Sequence, residues 1–524
     1  MASHSLSPYN ELPSRMQYRI RELNKILKQT VTIIPNNGQS DVRDNDTIIL
    51  ELPHNSVVDL NTFVMEYTGE TKHMGKTNTG PGVGAAGYLQ TRFFPRNSAS
   101  IIEQLDVEIN GQTRFSCNNY GLLYNTLFDY TAAQDSLNRR KVGENADPSS
   151  KFGYVHDAAG DEIYIERRGY SIGQIANGTA RDKEDYVIRS WLGLLNPSTA
   201  IIDTNILGSV VIKIRLAPSS CLMLGAASDA AALEVTSGNT ETGITIAAVA
   251  SGNALAAEDP GYTLKNVKFS IVRYDMPQDF YMAQASKLGG GAVFKLWFPN
   301  YSIQSCTSVP VGNKKGVNRT SISTRSLDWV LGTFRLPNYT TLAEPLNSLP
   351  PAPATSGALG LTKHTWESQV RAGCRRLFNN SKYYARNGTS VTNCTWIVGN
   401  SRYPSRTVQQ QFDSLLQHFN FQNDQGSGGM YPGIQSIQHF KETFYGDLLS
   451  LNCNQGESDF VVSGLNTEET PLQLTWEVDS KAVNATALNA PLFADANDLC
   501  TPYLICGYTS CLEISGGRQI NLRN

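Results

Sequence analysis

Apolar and polar residues alternate over short spans along most of this chain, the period-two signature of strands with one buried face. "DTIILELP" (46–53), "LNTFVMEYTG" (60–69) and "SIIEQLDVEIN" (100–110) are short and β-branched, and Pro, Gly and Asn bound them. "DEIYIERRG", "DYVIRSWLGLL", "GSVVIKIRLAP" and "YTLKNVKFSIVRYDMP" continue the series to about residue 277. "GGGAVFKLWFPN" restarts it with a Gly-rich hinge and a fresh strand. "RTSISTRSLDWVLGTFRLP", "TNCTWIVGN", "LQLTWEVDSK" and "PYLICGYTSCLEISGG" then complete a second series. No long helix is predicted. A chain of 524 residues exceeds what one hydrophobic core organises, so the pattern predicts two all-β domains of about 240 residues each.

Helical periodicity breaks in at few places. In the first thirty residues Met16, Ile20, Leu23 and Leu27 fall on one helical face, with Arg15, Arg19, Arg21, Lys25 and Lys28 around them. This reads as an arm, lying on a neighbour or on its own subunit. The other helices belong to a repeated unit. "EINGQTRFSCNNYGLLYNTLF" (108–128) reads as a strand end, an Asn-Gly turn and a short amphipathic helix, and "WIVGNSRYPSRTVQQQFDSLL" (396–416) repeats it. Aligned without a gap at an offset of 288, Ile109 meets Ile397, Gly111 meets Gly399 and Phe115 meets Tyr403. On the helix, Tyr120, Tyr124, Leu127 and Phe128 meet Val408, Phe412, Leu415 and Leu416, one apolar stripe for packing on a sheet. The unit occurs once in each β series, which implies one domain design used twice.

Three stretches fit neither period: "NRRKVGENADPSSKFG" (138–153), the small-residue run 225–261, and the proline-rich "EPLNSLPPAPATSGALG" (344–360). Loops of this length belong on an outer surface, where backbone polar groups reach water.

Composition narrows the function. Charged residues are 17% against 40% hydrophobic, and the net charge is −3, so nothing in the bulk charge favours nucleic acid or an anionic membrane. No apolar run is long enough to span a bilayer, and "MASHSLSPYNELPSRMQ" lacks a signal core, which leads us to expect folding in a reducing cell interior. The nine cysteines contain no Cys-x-x-Cys pair. Cys500, Cys506 and Cys511 are spaced too widely for a zinc knuckle, so they read as buried free thiols and no metal is expected.

Enzyme-like strings occur but lack their context. "GYSIG" (169–173) fits the nucleophile-elbow pattern around Ser171, yet "QIANGTARDKED" follows where a helix is required. "GETKHMGKT" (69–77) has five residues between its glycines where a phosphate cradle needs four, and "GVGAAG" (82–87) follows a polar loop. Both read as one flexible loop. The seven histidines show no ligand spacing, and no catalytic, cofactor-binding or metal residue is assigned. "RRLFNNSKYYARNG" (375–388) mixes Arg, Lys and Tyr, which suits a protein interface better than nucleic acid in so neutral a chain.

The phrases "FFPRNSASIIEQLDVEINGQ", "YTLKNVKFSIVRYDMP" before the hinge and "GNSRYP" before a helix resemble double jelly-roll major capsid proteins. That group forms the shells of adenoviruses, tailless membrane-containing phages, virophages and polinton-like viruses, and the phrases are most similar to the virophage and polinton-like branch. The resemblance spans roughly residues 30 to 516. It implies an all-β fold of two consecutive jelly-roll β-sandwiches with short helices and long surface loops: an arm (1–30), a first roll (31–285), a second roll (286–516) and a C-terminal tail (517–524). It implies a homotrimer of pseudo-hexagonal outline tiling an icosahedral virion around a DNA genome, with penton and minor capsid proteins as further partners. Contact with an internal membrane or a host receptor stays open, and no cofactor or sequence-specific nucleic-acid binding is implied. Two other classes also stay open: a carbohydrate-binding or adhesion β-sandwich, and a serine hydrolase using Ser171.

Overall fold

The computed structural model describes residues 27–35, 41–72, 74–76, 88–90, 92–94, 98–131, 152–156, 162–166, 181–197, 200–224, 261–307, 309–310, 315–320, 322–335, 383, 391–402, 406–407, 448–453, 464–468, 472–478, 499–516 and 519–524. Eight principal strands build the first half: β1 (Leu27–Ile33), β2 (Thr47–Glu51), β3 (Val57–Lys72), β4 (Ile102–Ile109), β5 (Gln112–Asn118), β6 (Arg181–Ile188), β7 (Val210–Leu216) and β8 (Tyr262–Asp275). Eight more build the second: β9 (Phe294–Ser305), β10 (Lys315–Thr320), β11 (Leu327–Arg335), β12 (Val391–Val398), β13 (Ser401–Arg402), β14 (Leu448–Asn452), β15 (Leu472–Val478) and β16 (Leu499–Ser515). Helix α1 (Tyr120–Thr131) follows β5, and α2 (Gln278–Gly289) joins the halves.

The first half forms two antiparallel sheets, β1-β8-β3-β6 and β2-β7-β4-β5. The second forms β9-β16-β11-β14 and β10-β15-β12-β13. Adding eight to every strand number of the first pair gives the second pair. Each half is thus a jelly roll of the same connectivity, in which strands distant in sequence become sheet neighbours.

Local chemistry explains these elements. Burial alternates along β2 and β7, so each presents one face to the core and one away from it. Asn110 and Gly111 both have positive φ, 52° and 74°, the geometry that closes a two-residue hairpin between β4 and β5. In the second roll Gly399 (φ 57°) and Asn400 close β12 onto β13.

That equivalence corrects the gapless alignment. Ile109 pairs with Gln112 beside its turn, and Val398 pairs with Ser401 beside its own. Across the sheet Ile109 meets Val210 and Val398 meets Leu472. Val398, not Ile397, is therefore the counterpart of Ile109, and both are buried. A slip of one residue would have turned the apolar set outward. The cause is a bulge in β5, where Val107 faces Phe115 but Glu108 faces Thr113, leaving Arg114 as an extra residue.

On α1, Tyr120, Tyr124 and Leu127 are buried as expected, and so are Leu122 and Leu123, so the helix is enclosed on more than one stripe. Its counterpart at 408–416 lies outside the described residues, as do Phe128's side chain, Met16, Ile20, Leu23 and nearly all of the three loop stretches. Leu27, placed on the helical face of the arm, begins strand β1. The end of the chain, read as a tail, carries strand β17 (Gln519–Arg523), which pairs with the end of β16.

The core of the first roll runs into the second without a break. It joins Ile48, Phe63, Met65, Leu105, Ile212 and Phe269 to Leu296, Phe298, Trp329, Leu331, Tyr503 and Ile505. A separate cluster lies between the sheets of the second roll and includes Val330, Trp396, Leu451, Leu474, Leu504 and Cys506. Neighbouring residues on β11 and β16 thus enter different clusters: Val330 and Leu504 one, Leu331 and Tyr503 the other. That shared burial explains why "YLIC" reads as an unbroken apolar run.

Candidate functional site at the junction of the two rolls

The contact between the rolls starts at β5. Phe115 packs edge-on against Phe298 of β9, their ring centroids 6.4 Å apart. Beneath Phe115 lies Gly193, with φ +75°, where a Cβ would come within 2.1 Å of the ring. Glycine is required there for both conformation and space. Arg114, the extra residue of the bulge, turns its guanidinium to the carbonyl of Ile520 at 2.8 Å. Leu296 of β9 closes one end of the first roll, lining an apolar cavity with Leu52, Leu60, Val107, Ile109 and Val210.

A buried arginine forms the second half of the junction. Arg335, at the end of β11, is 1% exposed. Its Nη1 donates to Oδ1 of Asn119 in the first roll at 3.1 Å, and Nη2 donates to the carbonyl of Tyr383 at 3.0 Å. The guanidinium lies over the rings of Tyr383 and Tyr503, 4.6 and 5.2 Å from their centroids. Burial pushes the Tyr383 hydroxyl far above its ordinary range; the negative charge of Glu103 adds to this and Arg335 opposes it. Glu103, on β4, thereby joins the cluster as well. A planar cation with five donors suits this site because it can satisfy groups from both rolls at once. Asn119 itself has φ 55°, a conformation Asn tolerates, and it starts helix α1.

The cysteines of the second roll behave as small apolar residues. Cys394, Cys453 and Cys506 are buried thiols outside any disulfide, in one cluster. Burial pushes Cys453 up to about 12 and Cys506 higher still. Cys511 is also a buried free thiol, and the side chain of Cys500 lies outside the described residues. The string at 69–77, read as part of a flexible loop, is largely strand. Gly69 to Lys72 end β3, paired with β6 and β8, and Met74–Lys76 pairs with Tyr88–Gln90. Glu70 is buried and bonded to Lys265 at 3.2 Å, so that stretch is committed to the ladder. Ser171, residues 82–87 and all of 375–388 except Tyr383 lie outside the described residues. Tyr383 packs on Arg335 of the same chain.

No protein-family model matches this chain, and no curated protein matches it by sequence. Solved structures do. The crystal structure of PBCV-1 VP54, fitted into a cryo-EM reconstruction of the virophage Sputnik, aligns over 95% of this chain and 97% of its own. The identity is 12% and the TM-score 0.50. The quasi-atomic model of the PBCV-1 virus capsid gives the same coverage, with 10% identity and a TM-score of 0.50. The fold is that of the double jelly-roll major capsid proteins. The crystal structure of the mavirus major capsid protein aligns over 94% of this chain and 89% of its own, at 12% identity and a TM-score of 0.47.

At this junction the double jelly roll is one body. Sequence reasoning missed Arg335, Glu103 and Asn119. The only local signal was an arginine ending an apolar strand, in "LDWVLGTFRLP", where a buried charge requires partners from elsewhere.

Proposed function

We propose that this chain is a major capsid protein that assembles as a homotrimer, six jelly rolls forming a pseudo-hexagonal block that tiles an icosahedral shell around a DNA genome. The observation that carries this is the strand-for-strand duplication within one chain, welded at Arg335 and Phe115, together with the likeness to PBCV-1 VP54 over nearly the whole of both chains. Two equivalent rolls fused rigidly give a subunit whose three copies present six near-equivalent flanks. A role in building a shell needs no catalytic residue, and we assign none. Further partners on this reading are penton and minor capsid proteins, and the location is the virion.

Light scattering on the purified protein tests this. A trimer has three times the chain mass of 57.5 kDa, and electron micrographs should show six-lobed particles or shells. A stable monomer at all concentrations would overturn the reading.

A further inference from the structure

The two rolls are joined twice, once by packing and once by the chain itself. The packing runs through Phe115 against Phe298, the bond from Arg335 to Asn119, and the continuous core. The chain crosses elsewhere, in a stretch described throughout from residue 261 to 307. Helix α2 there buries none of its residues. Gly289, Gly290 and Gly291 end and follow it, all exposed, and Ala292 and Val293 lead, also exposed, into β9.

Three consecutive glycines occur once in the sequence, and the fold accounts for one of them. Gly291 has φ +86°, which favours glycine. Gly289 is helical, and nothing lies within 4 Å of the place its Cβ would take. Gly290 has φ −78° and ψ 5°, and a Cβ there would meet only the Lys287 and Ser286 carbonyls, at 3.4 Å. Alanine at both positions would stabilise the helix end, because glycine loses more freedom on folding. Glycine where the fold gains nothing from it answers to something outside the fold. An endopeptidase holds its substrate extended and reads the side chains beside the bond it cuts. A run without side chains fits a cleft too narrow for other residues. This one is exposed, has no packing to undo and is free to extend.

We infer that Gly289–Gly291 is the recognition sequence of a processing endopeptidase with a glycine-accepting cleft, which hydrolyses the Gly291–Ala292 bond. Water adds across that bond, leaving a carboxylate on Gly291 and an amine on Ala292. The rolls stay joined by the junction, but their contact then lies between separate chains and depends on concentration. The inference concerns the single chain and does not rest on the trimer reading.

Three measurements test it. Gly289→Ala with Gly290→Ala should melt no lower than the wild type. A clear fall in Tm would show that the fold needs both glycines and would remove the argument. Thermolysin, which cuts before apolar residues, should give from the native full-length protein a fragment beginning at Ala292 or Val293. The two halves should elute together until urea is added. A native linker that resists while a peptide of residues 284–296 is cut, or halves that separate without urea, would overturn the inference. Finally, the protein isolated from the cells that make it should contain, by mass spectrometry, a polypeptide beginning at Ala292. The double alanine variant made in the same cells should stay whole. Native material that is uncut throughout would overturn the processing site.

Discussion

Replacing Arg335 with Met keeps much of its length and removes its charge, which makes it the sharpest perturbation of the junction. The guanidinium gives charge-assisted hydrogen bonds to Asn119 and to the Tyr383 carbonyl, and lies over two tyrosine rings. Hydrogen bonds to a charged group contribute roughly 1.5–3 kcal/mol each, and a desolvated cation over an aromatic ring about 2 kcal/mol. These do not add in full, because burying the cation costs several kcal/mol in the native protein. Removing one partner of such a buried cluster costs about 3–5 kcal/mol. In a roll-sized cooperative unit each kcal/mol moves Tm by about 2–4 °C, so a fall on the order of 10 °C is expected. The bond to Asn119 crosses between the rolls, while the Tyr383 and Tyr503 contacts lie within the second. Scanning calorimetry should therefore show one transition in the wild type and, in Arg335→Met, a second-roll transition that falls below the first roll's. Arg335→Lys keeps the charge but not the fork, and should fall between the two. A single transition in Arg335→Met within about 2 °C of the wild type would refute the claim that this residue joins the rolls.

Gly193→Ala should destabilise the junction by about 1–3 kcal/mol, since it strains a φ of +75° and drives a methyl into the Phe115 ring, and urea unfolding would show the shift in midpoint. Phe298→Ala should cost about 3–5 kcal/mol by emptying the space between β9 and β5, measured in the same way. Burial raises Cys453 from an ordinary 9 to about 12, so the folded state favours the neutral thiol. Its contribution is complete below pH 9 and is lost as pH rises towards 12, and Cys453→Ala should flatten that part of the alkaline denaturation curve. The same thiols, Cys453 and Cys506 among them, should resist a thiol reagent at pH 8 until urea unfolds the chain.

How much was legible follows from which interactions are local. Alternation over "SIIEQLDVEIN" marks β4, and the Asn-Gly pair that ends it marks the hairpin, because both depend on adjacent residues. The duplication was legible for the same reason, although a bulge at Arg114 displaced the alignment by one residue. Such a bulge depends on what lies across the strand. The strand stretches 69–72 and 74–76 were hidden by their glycines and charges. Gly69 is there because Phe94 and Tyr186 crowd its Cα, and Glu70 because Lys265 reaches it. The Arg335 cluster joins residues more than two hundred positions apart, so no local pattern carries it. Strand order, too, comes from long-range pairing such as β1 with β8, which ends at Ile33 opposite Phe269.

The central claim is that one chain folds as two equivalent rolls built to close against further copies. A cryo-EM map of the purified full-length protein tests it most directly. The account requires three chains in a ring of six alternating lobes, each with the strand order seen here. A map showing isolated two-lobed particles would contradict it.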